Sequence, residues 1–320
     1  MLDNFQKAYA KVNLHLEILN RRSDNYHSIF SLMANINLYD LLKLGEIKEI
    51  NSSEVNGRSQ SGRFDTMKFF AFRGKNRTVI KKIGGFFQQE INLVPDKSNL
   101  ISKATDLYLS QLNKEGEIEY SLEKNIPLEA GLGGGSSNAA LAVKLLNQKL
   151  DFIDKEKLDK ILFKLGADVP FCFQGGWAFC TGRGEQVEPL KKSLDCSVLL
   201  VNDGIKINTK QAYQSLQRES GKVDEKKIVK KKQELKKILE ENEIFRLKSV
   251  CQNDFEKVIF ADHPQVKDIK DQLYELGADF SIMSGSGSTL IGLFREKEKA
   301  LKAKSLLDKK YKMVFLTNFI

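Results

Sequence analysis

Apolar and polar residues alternate over residues 6–20, where Ala8, Ala10, Val12 and Leu14 share one face. A period of two predicts a β-strand with one buried face. The other strand-like stretches are 28–47 (one or two strands, with Asp40 near a break), 68–74, 78–94, 116–127, 177–190, 196–203 and 278–294.

Apolar residues at helical spacing predict helices between these strands. The helical stretches are 96–112, 136–150, 154–165, 228–245, 255–277 and 297–311. Strands and helices are interleaved without the regular spacing of a doubly wound sheet, so the pattern favours an α+β fold. A length of 320 residues suggests about two domains.

The net charge of +9 is concentrated in two segments. Residues 51–92 hold eight basic and three acidic residues, and 222–248 hold ten basic and six acidic residues. In 222–248 the apolar residues form a helical stripe, which predicts that the charges lie on the solvated face. The first segment mixes basic and aromatic residues and fits either paired strands or a surface for single-stranded nucleic acid; we favour the strands.

Several classes of protein are excluded or disfavoured by composition. No apolar run approaches the 18 residues of a membrane span, and the first residues lack the apolar region of a signal peptide. The four cysteines form no CxxC pair, so we expect reduced thiols in a cytoplasmic protein. A hydrophobic content of 41% argues against a wholly disordered chain.

The strongest local motif is PLEAGLGGGSSNAA at residues 127–140. Its glycines let the backbone bend sharply and approach a ligand closely. A predicted helix follows, and its free N–H groups make an anion site, most often for phosphate. The spacing matches neither a Walker A loop nor a dinucleotide fingerprint. The motif therefore predicts a phosphate-binding loop of another type, with serine hydroxyls available to phosphate or Mg²⁺.

Four weaker motifs leave functional and structural interpretations open. Lys11 and Asn13 lie on the polar face of the first strand, which could be a site or simply solvated. Asp168 in LGADVPF could be a general base or could cap a short helix. The turn 24–27 (DNYH) could contact a base or sugar, and SGSGS at 284–288 could be a hairpin turn or a backbone wall beside a ligand.

Taken in order, these five motifs resemble those of the GHMP kinase family. The resemblance spans nearly the whole chain, from YAKVNLHL at 9–16 to SGSG at 284–287. It implies a domain like ribosomal protein S5 domain 2 over 1–190, with an insert near 51–92, and a ferredoxin-like domain over 191–320. The site is then expected between these two domains, in a monomer or homodimer.

The resemblance also implies roles for individual residues. Lys11 would stabilise charge at the transferred phosphoryl group, and Asp168 would accept the proton of the substrate hydroxyl. Asn13 would position that hydroxyl. Tyr26 and His27 would recognise a cytosine base, with Tyr213 as the second aromatic ring of a sandwich around it. ATP with Mg²⁺ would be bound by Gly131, Leu132, Gly133, Gly134, Gly135, Ser136 and Ser137, with Lys124 and Asn99 as further nucleotide contacts. No protein ligand of Mg²⁺ is expected apart from a contribution by Ser137.

The triple glycine and the Tyr-His pair favour one member of the family. That member phosphorylates the 2-hydroxyl of a cytidyl diphosphate of methylerythritol in non-mevalonate isoprenoid synthesis. The alternatives are a kinase for mevalonate, homoserine or another small alcohol and, from another class, a basic protein that binds single-stranded nucleic acid. The sequence departs from the family pattern at Tyr9 in place of proline, and at Asn25 and Glu129 in place of glycine. A carboxylate beside a phosphate loop is unfavourable unless it points away.

Overall fold

A computed structural model describes residues 4–49, 67–73, 76–84, 99–216 and 223–320. The chain forms two compact units, each assembled from separate segments. Unit 1 comprises 1–10, 38–128 and 134–173, and unit 2 comprises 11–37, 129–133 and 174–320. In the part of the chain that the structure describes, no helix is both long enough and apolar enough to cross a bilayer.

Unit 1 packs helices on a sheet. Its elements are β1 (Gln6–Arg21, to residue 10), β2 (His27–Glu49, from residue 38), β3 (Met67–Arg73), β4 (Asn76–Gly84), α1 (Leu100–Gln111), β5 (Gly116–Glu123), α2 (Gly134–Lys149), α3 (Lys155–Leu165) and α4 (Val169–Gln174). The sheet order here is β3-β4-β5-β2, with β4 and β5 parallel and the other neighbours antiparallel. Strand β5 alternates buried and half-buried residues, and its buried face packs with α1, α2 and α3 in one apolar core.

Unit 2 contains two sets of antiparallel strands. Residues 31–34 of β2 pair with β6 (Trp177–Thr181), which pairs with β7 (Gln186–Leu190). A four-stranded sheet has the order β11-β8-β10-β9, formed by β8 (Ser197–Asn202), β9 (Phe280–Met283), β10 (Leu290–Phe294) and β11 (Met313–Asn318). The helices are α5 (Thr209–Ser215), α6 (Glu225–Glu241), α7 (Leu247–Val250, after a 3-10 turn), α8 (Phe255–Asp262), α9 (Pro264–Glu275) and α10 (Lys297–Leu307).

Most predicted elements are confirmed. Of the one or two strands expected over 28–47 the structure has one, and the break expected near Asp40 is absent from it. Strand β2 runs through that position because the buried Asp40 carboxylate accepts hydrogen bonds from the Lys124 ammonium and from the backbone N–H groups of Asn125 and Ile126. A charge that would otherwise end a buried strand is therefore paired within it. The helical stretch 255–277 is divided into α8 and α9, since Pro264 begins a new helix.

The prediction that α6 carries its charges on a solvated face holds for Lys227 and Lys236, whose side chains are 59% and 44% exposed, and is wrong for Lys231 and Lys232, at 15% and 23%. All four lysines nevertheless pair with carboxylates of neighbouring strands. Lys227 and Lys231 lie 2.5 and 2.9 Å from the Glu17 carboxylate, and Lys232 and Lys236 lie 2.6 and 2.8 Å from that of Glu188. These lysines bind strands β1 and β7. Their long side chains span the distance from the helix to the two carboxylates.

The basic segment 51–92 is described only in part. Strands β3 and β4 pair antiparallel from Met67↔Lys82 to Arg73↔Asn76, which confirms the paired strands expected there. Residues 50–66, 74–75 and 85–98 lie outside the described residues, so the remaining predictions for that segment stay untested. The domain boundary near residue 190 also stays a prediction.

Candidate active site

The glycine-rich loop makes close backbone approaches at Gly131 and Gly133, both in the left-handed region with φ values of 77° and 67°. A Cβ on Gly131 would lie 2.2 Å from the carbonyl oxygen of Ser284, and one on Gly133 would lie 2.8 Å from Cγ of Lys11. Neither distance can accommodate a side chain. Two independent constraints, conformation and space, therefore require glycine at these positions.

Helix α2 begins directly after this turn, at Gly134. Its second residue, Gly135, is exposed, and Ser136 is half-buried. The first N–H groups of a helix have no partner within the helix and carry the positive end of its dipole, so this end of α2 suits an anion. Ser137 is buried, and its hydroxyl donates a 2.5 Å hydrogen bond to the carbonyl of Tyr9. The predicted phosphate loop thus has the backbone that this chemistry needs.

Lys11 and Asn13 form a buried polar pair on β1. The Lys11 ammonium donates to Oδ1 of Asn13 over 2.7 Å, and the Asn13 amide donates to Ser31 Oγ over 2.9 Å. Both side chains are at most 3% exposed, which argues against the solvated-face interpretation. The backbone N–H of Lys11 also donates to the carbonyl of Leu132 in the glycine loop, over 3.0 Å. Lys11 is therefore fixed against the loop through both its main chain and its side chain.

A single serine connects this pair to the loop at 284–288. Ser284 Oγ accepts from the backbone N–H of Asn13 at 3.2 Å and donates to the carbonyl of Gly131 at 2.9 Å. Residues 284–288 join the antiparallel strands β9 and β10, so the hairpin interpretation is correct, and the loop also lies against the glycine turn. Sequence reasoning missed Ser31, whose only signal was a hydroxyl within the apolar stretch SIFSLM.

Asp168 lies immediately before the short helix α4. Its carbonyl accepts from the backbone N–H of Cys172 at 3.0 Å, and the residue is half-buried. Pro170 occupies the first turn of α4, where its missing N–H has no cost. The sequence thus places a partly accessible carboxylate at a defined helix start.

The two further nucleotide candidates have structural partners in unit 1. Asn99 caps α1 and accepts from the backbone N–H of Ile101 at 2.9 Å. Lys124 is 2% exposed and binds the Asp40 carboxylate at 2.5 Å and the Ile126 carbonyl at 2.7 Å. Burial lowers the pKa of Lys124 and raises that of Asp40, and their mutual attraction opposes both shifts. A role for either residue in binding ATP stays a prediction.

The three aromatic candidates lie in one region of unit 2. His27 and Tyr213 stack with ring centroids 5.1 Å apart and an interplanar angle of 16°. Tyr26 is 56% exposed, and the guanidinium of Arg183 lies 4.4 Å from its ring centroid. Burial, and then the charge of Arg21, lowers the pKa of His27, so its imidazole is neutral at pH 7. Since His27 and Tyr213 touch face to face, a base cannot enter between those two rings without separating them.

Both replacements of glycine occur where the backbone is left-handed. Asn25 has a φ of 64°, which asparagine tolerates, and Glu129 has a φ of 53°. The Glu129 side chain is 65% exposed and lies 3.8 Å from the ammonium of Lys206. The carboxylate is therefore partly neutralised in solvent, and its expected repulsion of a bound phosphate is correspondingly weak.

The described residues contain no group of three or more His, Cys, Asp and Glu side chains arranged to hold a metal ion. The oxygen expected to contribute to Mg²⁺ binding is Ser137 Oγ, which donates to the carbonyl of Tyr9. The same hydroxyl also lies 3.3 Å from Cys172 Sγ, so one lone pair at most remains for a cation.

Comparison with known families identifies the class of protein. The description "GHMP kinases N terminal domain" matches residues 99–176, and "GHMP kinases C terminal" matches residues 228–312. The chain belongs to the GHMP kinase family; it has the two-domain α+β fold of these enzymes and is an ATP-dependent small-molecule kinase.

Two curated relatives and two solved structures are similar to this chain over nearly its whole length. The chain is 33% identical over 316 residues to a 4-diphosphocytidyl-2-C-methyl-D-erythritol kinase of Clostridium botulinum (strain Kyoto / Type A2), covering 98% of this chain and 99% of the relative. It is 32% identical to the enzyme of that name from Clostridium novyi (strain NT), covering 99% of this chain and all of the relative. A crystal structure of 4-(cytidine 5'-diphospho)-2C-methyl-D-erythritol kinase is 27% identical, with a TM-score of 0.68 and 98% of both chains covered. A homoserine kinase from Cytophaga hutchinsonii, at 19% identity and a TM-score of 0.66 over 97% of this chain and 93% of that one, shares the fold.

Proposed function

We propose that this chain transfers the γ-phosphoryl group of ATP to the 2-hydroxyl of 4-diphosphocytidyl-2-C-methyl-D-erythritol, a step of non-mevalonate isoprenoid synthesis. The observation that carries the substrate assignment is the aromatic cluster of Tyr26, His27 and Tyr213 on a GHMP kinase chain. Small acids such as mevalonate and homoserine have no base to stack on these rings. The full-length similarity to kinases named for the cytidyl substrate supports the same choice.

The proposed residue roles are those that the family resemblance implies, and the local geometry supports them for the glycine loop and Lys11. The phosphates of ATP lie along residues 131–137, where the loop backbone and the first N–H groups of α2 bind them. Lys11, already fixed against this loop, offsets the charge that develops on the transferred group. Asn13 orients the substrate hydroxyl, and Asp168 accepts its proton. Mg²⁺, bound to ATP and assisted by Ser137, would neutralise phosphate charge.

The substrate assignment is tested by ADP release with MgATP and three acceptors, the cytidyl diphosphate, mevalonate and homoserine. We expect turnover only with the cytidyl compound. Turnover with mevalonate or homoserine instead would show that the chain is a GHMP kinase with a different substrate. Turnover with none, in protein that binds ATP, would reject all three acceptors. Steeply salt-dependent binding of single-stranded nucleic acid without turnover would favour the nucleic-acid alternative.

The general base is tested by Asp168→Asn, which keeps the shape of the side chain and removes its basicity. We expect turnover to fall about 100-fold or more in a protein that remains folded. Asp159→Asn is the matched control, because Asp159 is an exposed carboxylate of α3 paired with Lys155. Turnover of Asp168→Asn within a few fold of wild type would reject the role of Asp168.

Lys11→Ala tests the charge-stabilising role independently. Loss of turnover with ATP binding largely retained is the expected result, because the ammonium acts mainly on the transition state. Retained turnover would show that Lys11 is only a structural partner of Asn13.

Three further parts of the proposal concern the whole chain. We place the reaction in the cytoplasm and the boundary between the two domains near residue 190. The chain acts as a monomer or a homodimer.

A further inference from the structure

Arg183 is a basic residue of unit 2 that the proposed mechanism does not use. It lies in the turn between β6 and β7, and its guanidinium is 4.4 Å from the ring centroid of Tyr26. A cation–π contact of this kind leaves the positive charge of the guanidinium in place.

The backbone holds this turn beside the Tyr-His turn. The carbonyl of Gly182 accepts from the backbone N–H of Ile29 at 2.7 Å, two residues after His27. The backbone N–H of Arg183 donates to Glu185 Oε2 at 2.6 Å, which closes the turn on itself. Arg183 therefore reaches Tyr26 from a fixed main-chain position.

Two carboxylates near Arg183 would oppose the binding of an anion, and each has another partner. Asp24 pairs with the guanidinium of Arg22 at 3.1 Å and accepts from the backbone N–H of Tyr26. Glu185 accepts from the backbone of Arg183. Because both carboxylates are occupied, their repulsion of an anion beside Arg183 is reduced.

We propose that Arg183 binds the diphosphate of the cytidyl diphosphate substrate while its guanidinium remains stacked on Tyr26. The inference rests on the proposed function. It assigns a binding residue to the diphosphate, which is the part of the substrate next to the nucleoside. A guanidinium matches the paired oxygens of a diphosphate, and the stack on Tyr26 fixes its orientation in advance. Arg183 would thus favour nucleoside diphosphates over the bare nucleoside.

The test compares the binding of cytidine and CDP to the full chain by calorimetry. Wild type is expected to bind CDP about 10- to 100-fold more tightly than cytidine, the range for charge-assisted hydrogen bonds. In Arg183→Gln that preference is expected to fall to about 3-fold or less, with cytidine affinity changed far less. Arg183→Lys keeps the charge without the planar fork and should retain an intermediate preference.

Arg295→Gln is the control, since it removes a positive charge whose partner is Asp279 and should leave the preference unchanged. An unchanged preference in Arg183→Gln would overturn the inference. Equal losses for cytidine and CDP would also overturn it, because Arg183 would then act only by holding Tyr26. Failure of wild type to bind either compound would reject the cytidyl site altogether. Absence of turnover with normal CDP preference would reject the proposed reaction and keep the assignment of Arg183.

Discussion

Two glycines of the phosphate loop, only two positions apart, should respond in opposite ways to alanine. At Gly133 the backbone has a φ of 67°, and a Cβ would lie 2.8 Å from Cγ and 3.1 Å from Cε of Lys11. At Gly135, inside the first turn of α2, a Cβ would meet only Cδ1 of Leu100, at an ordinary contact distance of 3.6 Å. Gly135→Ala is therefore a matched control for Gly133→Ala.

The expected magnitudes follow from these contacts. Left-handed backbone costs an alanine about 1 kcal/mol, and overpacking against a buried side chain adds about 1–3 kcal/mol. Gly133→Ala should therefore lose roughly 2 kcal/mol or more and melt about 4 °C or more below wild type. Gly135→Ala gains up to about 1 kcal/mol of helix propensity, so its stability should equal or exceed that of wild type.

Steady-state kinetics separate the two variants further. Gly133→Ala displaces Lys11, and kcat should fall at least about tenfold, because small misplacements of a catalytic group are costly. Gly135→Ala puts a methyl group on the exposed first turn of α2 and should raise KM for ATP in a folded enzyme. Equal melting temperatures for both variants would refute the proposed contact between Gly133 and Lys11. An unchanged KM for ATP in Gly135→Ala would show that the first turn of α2 does not contact the phosphates.

Three further substitutions test charges and backbone elsewhere. Asp40→Asn leaves Lys124 buried without its counter-charge, so urea unfolding should show a loss of about 3 kcal/mol. Glu129→Gly relieves a left-handed φ of 53° and should raise the free energy of unfolding by about 0.5–1 kcal/mol, whereas a loss would assign the stability to the pair with Lys206. His15, then Lys227 and Lys231, hold the pKa of Glu17 far below its ordinary value of 4.5. Stability from Glu17 is therefore present above pH 4.5 and is lost progressively at lower pH, and Glu17→Gln should flatten this acid dependence in urea titrations.

The parts of the site that the sequence predicts are those encoded by short local patterns. The glycine turn, the start of α2 and the neighbouring polar residues of β1 follow from residue type and spacing within a few positions. Even the replacement of a glycine is informative, because Asn25 and Glu129 keep the left-handed backbone that glycine would adopt freely. The left-handed backbone is therefore kept at these two positions even though neither residue is glycine.

Contacts between distant segments could not be predicted in the same way. Asp40 and Lys124 are 84 positions apart, and neither has a neighbour that indicates the other. The sequence places a break near Asp40. An unpaired carboxylate inside a buried strand is costly. The ammonium of Lys124 supplies the counter-charge, and the strand therefore continues through Asp40. The stack of His27 on Tyr213 is of the same kind, since the sequence places both aromatics but not the distance between them.

The basic excess illustrates why net charge is a weak guide to function in this chain. The segment 222–248 has more basic than acidic residues, yet Lys227, Lys231, Lys232 and Lys236 bind carboxylates that lie far away in sequence, on β1 and β7. Four of the seven lysines of α6 thus attach the helix to strands of unit 2. A lysine bound to a carboxylate releases few counterions when a polyanion approaches, so this face contributes little to nucleic-acid affinity. The lysines of α6 consequently support the kinase fold, and the nucleic-acid alternative depends on the segment 51–92 alone.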